Sequence, residues 1–297
     1  MVAVQAILPI FLLVILGYVI GRRRWLSSEA ATGLASLTFK LFMPVMLFTG
    51  IAKAELAQGL SPNLLIGYFL PVLLVFTLVN LLVHLRRGKA SPLGLTAAYS
   101  NNVLIGIPLV ATVLGADSLV YLFAVLVFHS LLLFSLHSLY AAFGSGEKVQ
   151  PLALLKNLAN PVIIGLLLGA VLNLSGLALP EPLWKLASWL SAAALPCALM
   201  VLGMSLARYS LHLSRGVLGL TLVKLAVFPV AVYLLAAWLG LNETARAVLV
   251  LMAACPTGVN VLAFVRTPED SRTVSSTVCL STLLAAVSLP LWMMLLG

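Results

Sequence analysis

The sequence predicts an all-α polytopic membrane protein: ten transmembrane helices in two inverted five-helix repeats, with broken, crossing helices 4 and 9. Three observations carry that prediction. Hydrophobic residues make up 62% of the 297 positions and charged residues only 8%, where a soluble domain carries about 25% charged. Lys and Arg alternate between rich and poor loops. Glycines and prolines of the first half recur in the second at a fixed offset.

Apolar spans fall near 3–21, 31–52, 62–85, 92–114, 117–143, 155–176, 186–207, 215–239, 245–265 and 273–296. Each is close to or above the ~20 residues a spanning helix needs, and little is left over for a soluble domain. The first span has the wrong flanks for a cleavable signal: Arg22, Arg23 and Arg24 follow it and no basic residue precedes it. It reads as a retained first helix.

Odd-numbered loops hold Arg22, Arg23, Arg24, Arg86, Arg87, Lys89, Lys148, Lys156, Arg208, Arg215, Arg266 and Arg272, while even-numbered loops hold only Lys53, Lys185 and Arg246. The positive-inside bias puts the odd loops in the cytoplasm and both termini outside. The net charge of +9 is therefore a topology signal and gives no reason to expect nucleic acid. Cys197, Cys255 and Cys279 lie inside apolar spans without metal-like spacing and read as small packed residues.

A shift of 152 residues superposes Pro9 on Pro161, Gly17 on Gly169, Pro44 on Pro196, Gly67 on Gly219, Gly88 on Gly240 and Gly106 on Gly258. Each half then holds five spans, and an odd number forces the second half to enter the membrane the other way up. The boundaries are 1–143 for the first repeat, 144–154 for a short cytoplasmic linker and 155–297 for the second. Such inverted repeats underlie alternating access in many transporters.

The shift also sets span 4 opposite span 9, and these two are interrupted by polar and helix-disrupting residues. Span 4 carries Asn101, Asn102, Val103, Gly106 and Pro108; span 9 carries Cys255, Pro256, Thr257, Gly258 and Asn260. Pro108 removes a donor and clashes with the carbonyl of Leu104, and Pro256 does the same to Met252. Gly106 is expected to let another backbone approach. Irregular backbone at membrane depth survives only where it is buried in protein or lines a cavity. Two half-helix N-termini pointing into one cavity suit an anion, above all a carboxylate. The candidate substrate-binding set is therefore Asn101, Asn102, Val103, Gly106, Pro108, Pro256, Thr257, Gly258 and Asn260.

All eight Asp and Glu residues lie in loops or at span ends. A mid-membrane acid, the usual proton carrier of pumps, is lacking, and a cationic substrate would find no counter-charge. Lys40 and Lys224 do sit within spans; snorkelling or pairing with a carbonyl competes with an electrostatic or coupling role. His129 and His137, eight residues apart in span 5, are candidates for proton coupling, against the plainer reading of buried, hydrogen-bonded histidines.

With these residues in view, Asn101-x-x-x-x-Gly106-Ile107-Pro108 together with Pro256-Thr257-Gly258 resembles the auxin efflux carrier family, over the whole chain. The resemblance implies a bile-acid/sodium-symporter-like fold. It further implies scaffold helices 1, 2, 6 and 7, transport helices 3–5 and 8–10, elevator-type motion, Asn101 on the substrate carboxylate and Pro256 at the helix 9 crossover. Two features depart from the plant members: Ser100 replaces the proline before the asparagine, and the long central cytoplasmic loop is missing.

The functional expectation is an inner-membrane carrier of small organic anions, mono- or dicarboxylates such as malonate or auxin-like acids. No cofactor or metal is expected; H+ or Na+ are the candidate coupling ions, with uniport or proton-linked transport ranked first. Membrane lipid is the expected surroundings, and a homodimer stays open. Alternatives are a membrane-embedded ligand-binding sensor without transport and a sodium-coupled symporter. An intramembrane enzyme is disfavoured because Gly-x-Ser-x-Gly, mid-span aspartates and His-Glu pairs are all missing. A channel is disfavoured because no charged ring or filter motif occurs.

Overall fold

The computed structural model describes residues 2–54, 61–145 and 161–296. Most of the linker expected at 144–154, and the beginning of span 6 expected at 155, lie outside the described residues. All named elements are helical: α1 (Val2–Arg23), α2 (Ser28–Ala52), α3 (Pro62–Arg87), α4 (Leu93–Ala98), α5 (Asn102–Val113), α6 (Leu119–Ser145), α7 (Pro161–Ser175), α8 (Glu181–Leu206), α9 (Arg215–Trp238), α10 (Glu243–Ala254) and α11 (Pro268–Leu296). By length and composition six of them can cross a membrane: α2, α3, α6, α8, α9 and α11.

Helix starts follow from capping chemistry. Ser27, Ser61, Ser214 and Asn242 accept from the amides of Ala30, Leu64, Val217 and Ala245 at the heads of α2, α3, α9 and α10. Gly88 ends α3 in the left-handed conformation, φ 65°, and Gly240 follows α9 at φ 68°, where a side chain would be strained. These two glycines are also partners under the 152-residue shift. The C-terminus of α2 is closed from another helix: Asn173 Nδ2, in α7, donates to the carbonyls of Ile51, Ala52 and Ala54 at 3.1, 3.1 and 2.8 Å.

Three helices contain one wide π turn each, at Thr38–Phe42, Asn102–Gly106 and Val223–Val227. Each is followed two residues later by a proline: Pro44, Pro108 and Pro229. The cause is local. A proline cannot donate to the carbonyl four residues back and its ring crowds that carbonyl, so the backbone widens just before it. In α9 the orphaned carbonyl of Leu225 accepts instead from Trp292 Nε1 at 3.0 Å.

Packing is closest where glycines meet foreign backbone. α1 lies along α8, and α2 lies along α7 and α8. A Cβ on Gly17 would fall 2.1 Å from the Met200 carbonyl oxygen, and one on Gly203 would fall 2.0 Å from that of Val14. On α7, Gly165 and Gly169 approach the carbonyls of Pro44 and Phe48 in the same way, at 2.4 and 2.7 Å. Small residues take this place in membrane bundles because they let helix backbones touch. α3 packs on α4, α9 and α10, and α9 also on α11, so the interrupted segments lie inside a bundle.

Candidate functional site

Both interruptions occur where the sequence puts them. α4 stops at Ala98 and α5 starts at Asn102; α10 stops at Ala254, and Val259–Phe264 continues as a 3-10 turn. The second half of span 9 is thus shorter and tighter than the helix expected to run to residue 265. The two extended links cross. Ser100 and Thr257 pair as an isolated antiparallel bridge, with Asn101 N–H donating to Pro256 O at 2.8 Å and Gly258 N–H to Tyr99 O at 3.1 Å.

Buried backbone groups must find partners, and the crossing supplies them from side chains. Thr257 Oγ1 donates to Thr96 O at 2.9 Å, and the Thr257 amide donates to Ser281 Oγ at 3.2 Å. That second bond turns the Thr257 amide away from the end of α10, and Lys224 Nζ donates to the Ala253 carbonyl. Lys224 Nζ also donates to Ser100 Oγ at 2.8 Å. Asn102 Nδ2 donates to Tyr68 OH at 3.1 Å.

Against this crossing lies a cavity of about 550 Å³. From the sequence-predicted set it gathers Asn101, Asn102, Val103, Asn260 and Lys40 on its wall. Asn101 is 6% exposed, and its Nδ2 has no hydrogen-bond partner. Lys40, on the π turn of α2, is exposed. Among the described residues no carboxylate lines the cavity. The remaining predicted residues stand behind the wall. Pro108, Pro256, Thr257 and Gly258 shape the crossing, and a Cβ on Gly258 would lie 2.5 Å from the Tyr99 ring. Gly106 does not meet another backbone as expected. The nearest atoms to a Cβ there are the Asn102 side chain at 3.3 Å and Cys255 Sγ at 3.6 Å, so its smallness makes room for side chains.

The two in-span lysines, read alike in the sequence, separate here. Lys40 faces the cavity, whereas Lys224 is fully buried. His129 and His137 are both buried among aromatics, His129 stacked on Tyr99 at 4.7 Å and His137 edge-on to Phe264 at 5.1 Å. Neither ring nitrogen of His129 is hydrogen-bonded, unlike the plainer reading of that residue.

Sequence reading missed the aromatic and hydroxyl part of the wall: Tyr99, Ser100, Ser130, Phe134 and Phe264. Tyr99 OH bonds Ser130 Oγ at 2.9 Å and accepts from Asn260 Nδ2 at 3.4 Å. The available signal was adjacency, since Tyr99 and Ser100 directly precede the two asparagines.

A broken, crossed pair of segments beside a cavity of mixed polar and apolar lining, inside an apolar bundle, is the candidate site of this chain. In the comparison with known proteins, the model of the membrane transport protein family matches residues 2–151 and 145–293. The chain belongs to this family, the auxin efflux carrier family of the resemblance. It is similar to an "Uncharacterized transporter" of Methanothermobacter thermautotrophicus, 31% identical, with 98% of each chain covered. It is also similar to a protein of Rhizobium meliloti named "Putative malonate transporter", 26% identical over 86% of this chain and 83% of that one. "Uncharacterized transporter YfdV" of Escherichia coli K12 is 24% identical over 96% and 95%. The protein is thus a multi-pass membrane protein of a transporter family.

Proposed function

We propose that this family member is a carrier for small organic anions, mono- or dicarboxylates, which bind in the cavity at the crossing. The observation that carries the reading is Asn101. Its side-chain Nδ2 is buried and unpartnered, and the residue lies on the wall of a cavity that holds a lysine and, among the described residues, no carboxylate. A carboxylate offers only acceptors and is drawn to such a donor. The first turn of α5 adds amides without intrahelical acceptors and the positive end of a helix dipole. The name of the Rhizobium meliloti relative supports a short dicarboxylate as the first substrate to test.

The architecture that goes with this reading is ten helices in two inverted repeats, with α4–α5 as broken helix 4 and α10 with its 3-10 extension as broken helix 9. The glycine contacts support it, because the 152-residue shift converts Gly17 on Met200 into Gly169 on Phe48. In this reading α1, α2, α7 and α8 form a static scaffold, and the remaining helices carry the site past it as an elevator. The protein sits in the inner membrane with both termini outside, working as a uniporter or with protons. An anion leaving a cell negative inside gains ~2.3 kcal/mol per charge per 100 mV.

The test is substrate-induced current from purified protein in liposomes on a solid-supported membrane, with malonate, other dicarboxylates, indole-3-acetate and benzoate. A saturable current that disappears in Asn101→Ala supports the carrier. Binding with neither current nor flux of substrate into the liposomes, in a well-folded protein, would replace it with the sensor reading.

A further inference from the structure

Lys224 is the one long charged side chain among the largest fully buried residues, and no carboxylate partner compensates it among the described residues. Burying an unpaired ammonium is very costly, so its surroundings must replace a counter-ion. They are electron-rich. One N–H goes to Ser100 Oγ in the first broken link and another to the Ala253 carbonyl at the end of α10. The face of the Phe228 ring lies 4.8 Å away. The C-terminal carbonyls of a helix carry its partial negative charge, and an aromatic face attracts cations. The wide turn Val223–Val227, imposed by Pro229, carries Lys224.

These oxygens are what a small monovalent cation would use: a carbonyl at a helix C-terminal end and a hydroxyl, with no acid needed. We infer that the crossing contains a monovalent-cation seat permanently occupied by the Lys224 ammonium, a cation tethered to α9. Resting on the carrier reading above, this assigns the coupling: the fold keeps the crossing closed with its own charge and needs no sodium there. It also makes Lys224 a positioning residue. It holds Ser100, whose neighbour Asn101 reaches the cavity, and it does not itself line that cavity.

Removing the tether should leave the seat open to cations from solution. The measurement is the thermal unfolding midpoint of purified protein, followed by tryptophan fluorescence, in NaCl, KCl, choline chloride or n-propylammonium chloride at equal ionic strength. The native protein is expected to unfold at one temperature in NaCl and choline chloride. Lys224→Ala should unfold several degrees lower in choline and recover saturably with NaCl or n-propylammonium, whereas Lys224→Met, apolar and similar in length, should respond to neither. A sodium-specific stabilisation of the native protein would overturn the inference, and so would a Lys224→Ala protein that no cation stabilises. The native-protein arm holds even if the variants do not fold. Because the readout needs no substrate, an inference that fails here leaves the anion-carrier reading untouched, and silence in the current assay leaves this one untouched.

Discussion

The amide of Asn101 donates to the carbonyl of Pro256 at 2.8 Å, so the backbone of one broken segment positions the cavity-facing side chain of the other. Asn101→Ala keeps that backbone bond and removes the side-chain amide from the cavity wall, with its unpartnered donor. The expected result is a 10- to 100-fold loss in apparent substrate affinity, since a hydrogen bond to a charged group is worth about 1.5–3 kcal/mol. The unfolding midpoint should hardly move. Unchanged flux in the variant would remove Asn101 from the site.

Gly258 tests the crossing without touching a polar group. Its added Cβ would lie 2.5 Å from the Tyr99 ring, which is itself stacked between His129 at 4.7 Å and Phe134 at 4.9 Å. The ring therefore has little room to yield. Gly258→Ala is expected to cost about 1–3 kcal/mol, the usual range for overpacking, and to lower transport. A lower unfolding midpoint than native would register the strain; normal stability and flux would mean the two links slide past each other freely.

These two residues also mark what could be read in the sequence and what could not. The breaks were legible because proline acts on its own backbone: Pro256 lies in the second link, and Pro108 stands behind the wide turn that opens α5. The crossing partners were not, because the bond from Thr257 to Thr96 joins residues far apart in the chain. The same limit separates Lys40 from Lys224. Both are lone lysines at similar depth in apolar runs, and only the packing of Phe228, Ser100 and Ala253 around one of them makes it internal. The shortened second half of span 9 escaped notice for a related reason, since hydropathy records apolar length and is blind to a 3-10 turn.

Lys40 is expected to act by charge. It is exposed on the cavity wall, so its pull on an anion passes through a partly hydrated space and is screened by salt. Lys40→Arg should keep most of the transport, whereas Lys40→Ala should raise the apparent KM, with a gap that narrows at high ionic strength. Concentration series of substrate current at two salt concentrations provide the check. Equal KM for both variants would return Lys40 to a snorkelling role.

Asn173 closes the end of α2 through three carbonyls. Asn173→Ala leaves those groups without their donor and is expected to destabilise the protein by about 1–3 kcal/mol. Asn173→Asp should be worse, because a carboxylate offers no donor and adds negative charge to the negative end of a helix. Denaturation midpoints of the two variants measure the effect. Native-like stability in Asn173→Asp would contradict a capping role.

The glycine contacts give the inverted-repeat reading a quantitative test. Gly17 meets the carbonyl of Met200 and Gly169 that of Phe48, and a Cβ would come within 2.1 and 2.7 Å of those oxygens. Neither carbonyl can retreat without moving its helix, so both alanine variants should be destabilised by about 1–3 kcal/mol, Gly17→Ala the more. Gly33 in α2 has open space around it. Its alanine variant should be neutral or stabilised by up to about 1 kcal/mol, because alanine loses less freedom in a helix. Midpoints for all three separate contact from propensity. If Gly17→Ala and Gly169→Ala behaved like Gly33→Ala, the close approach of α1 to α8 and of α7 to α2 would be ruled out, and with it the structural support for relating the two halves.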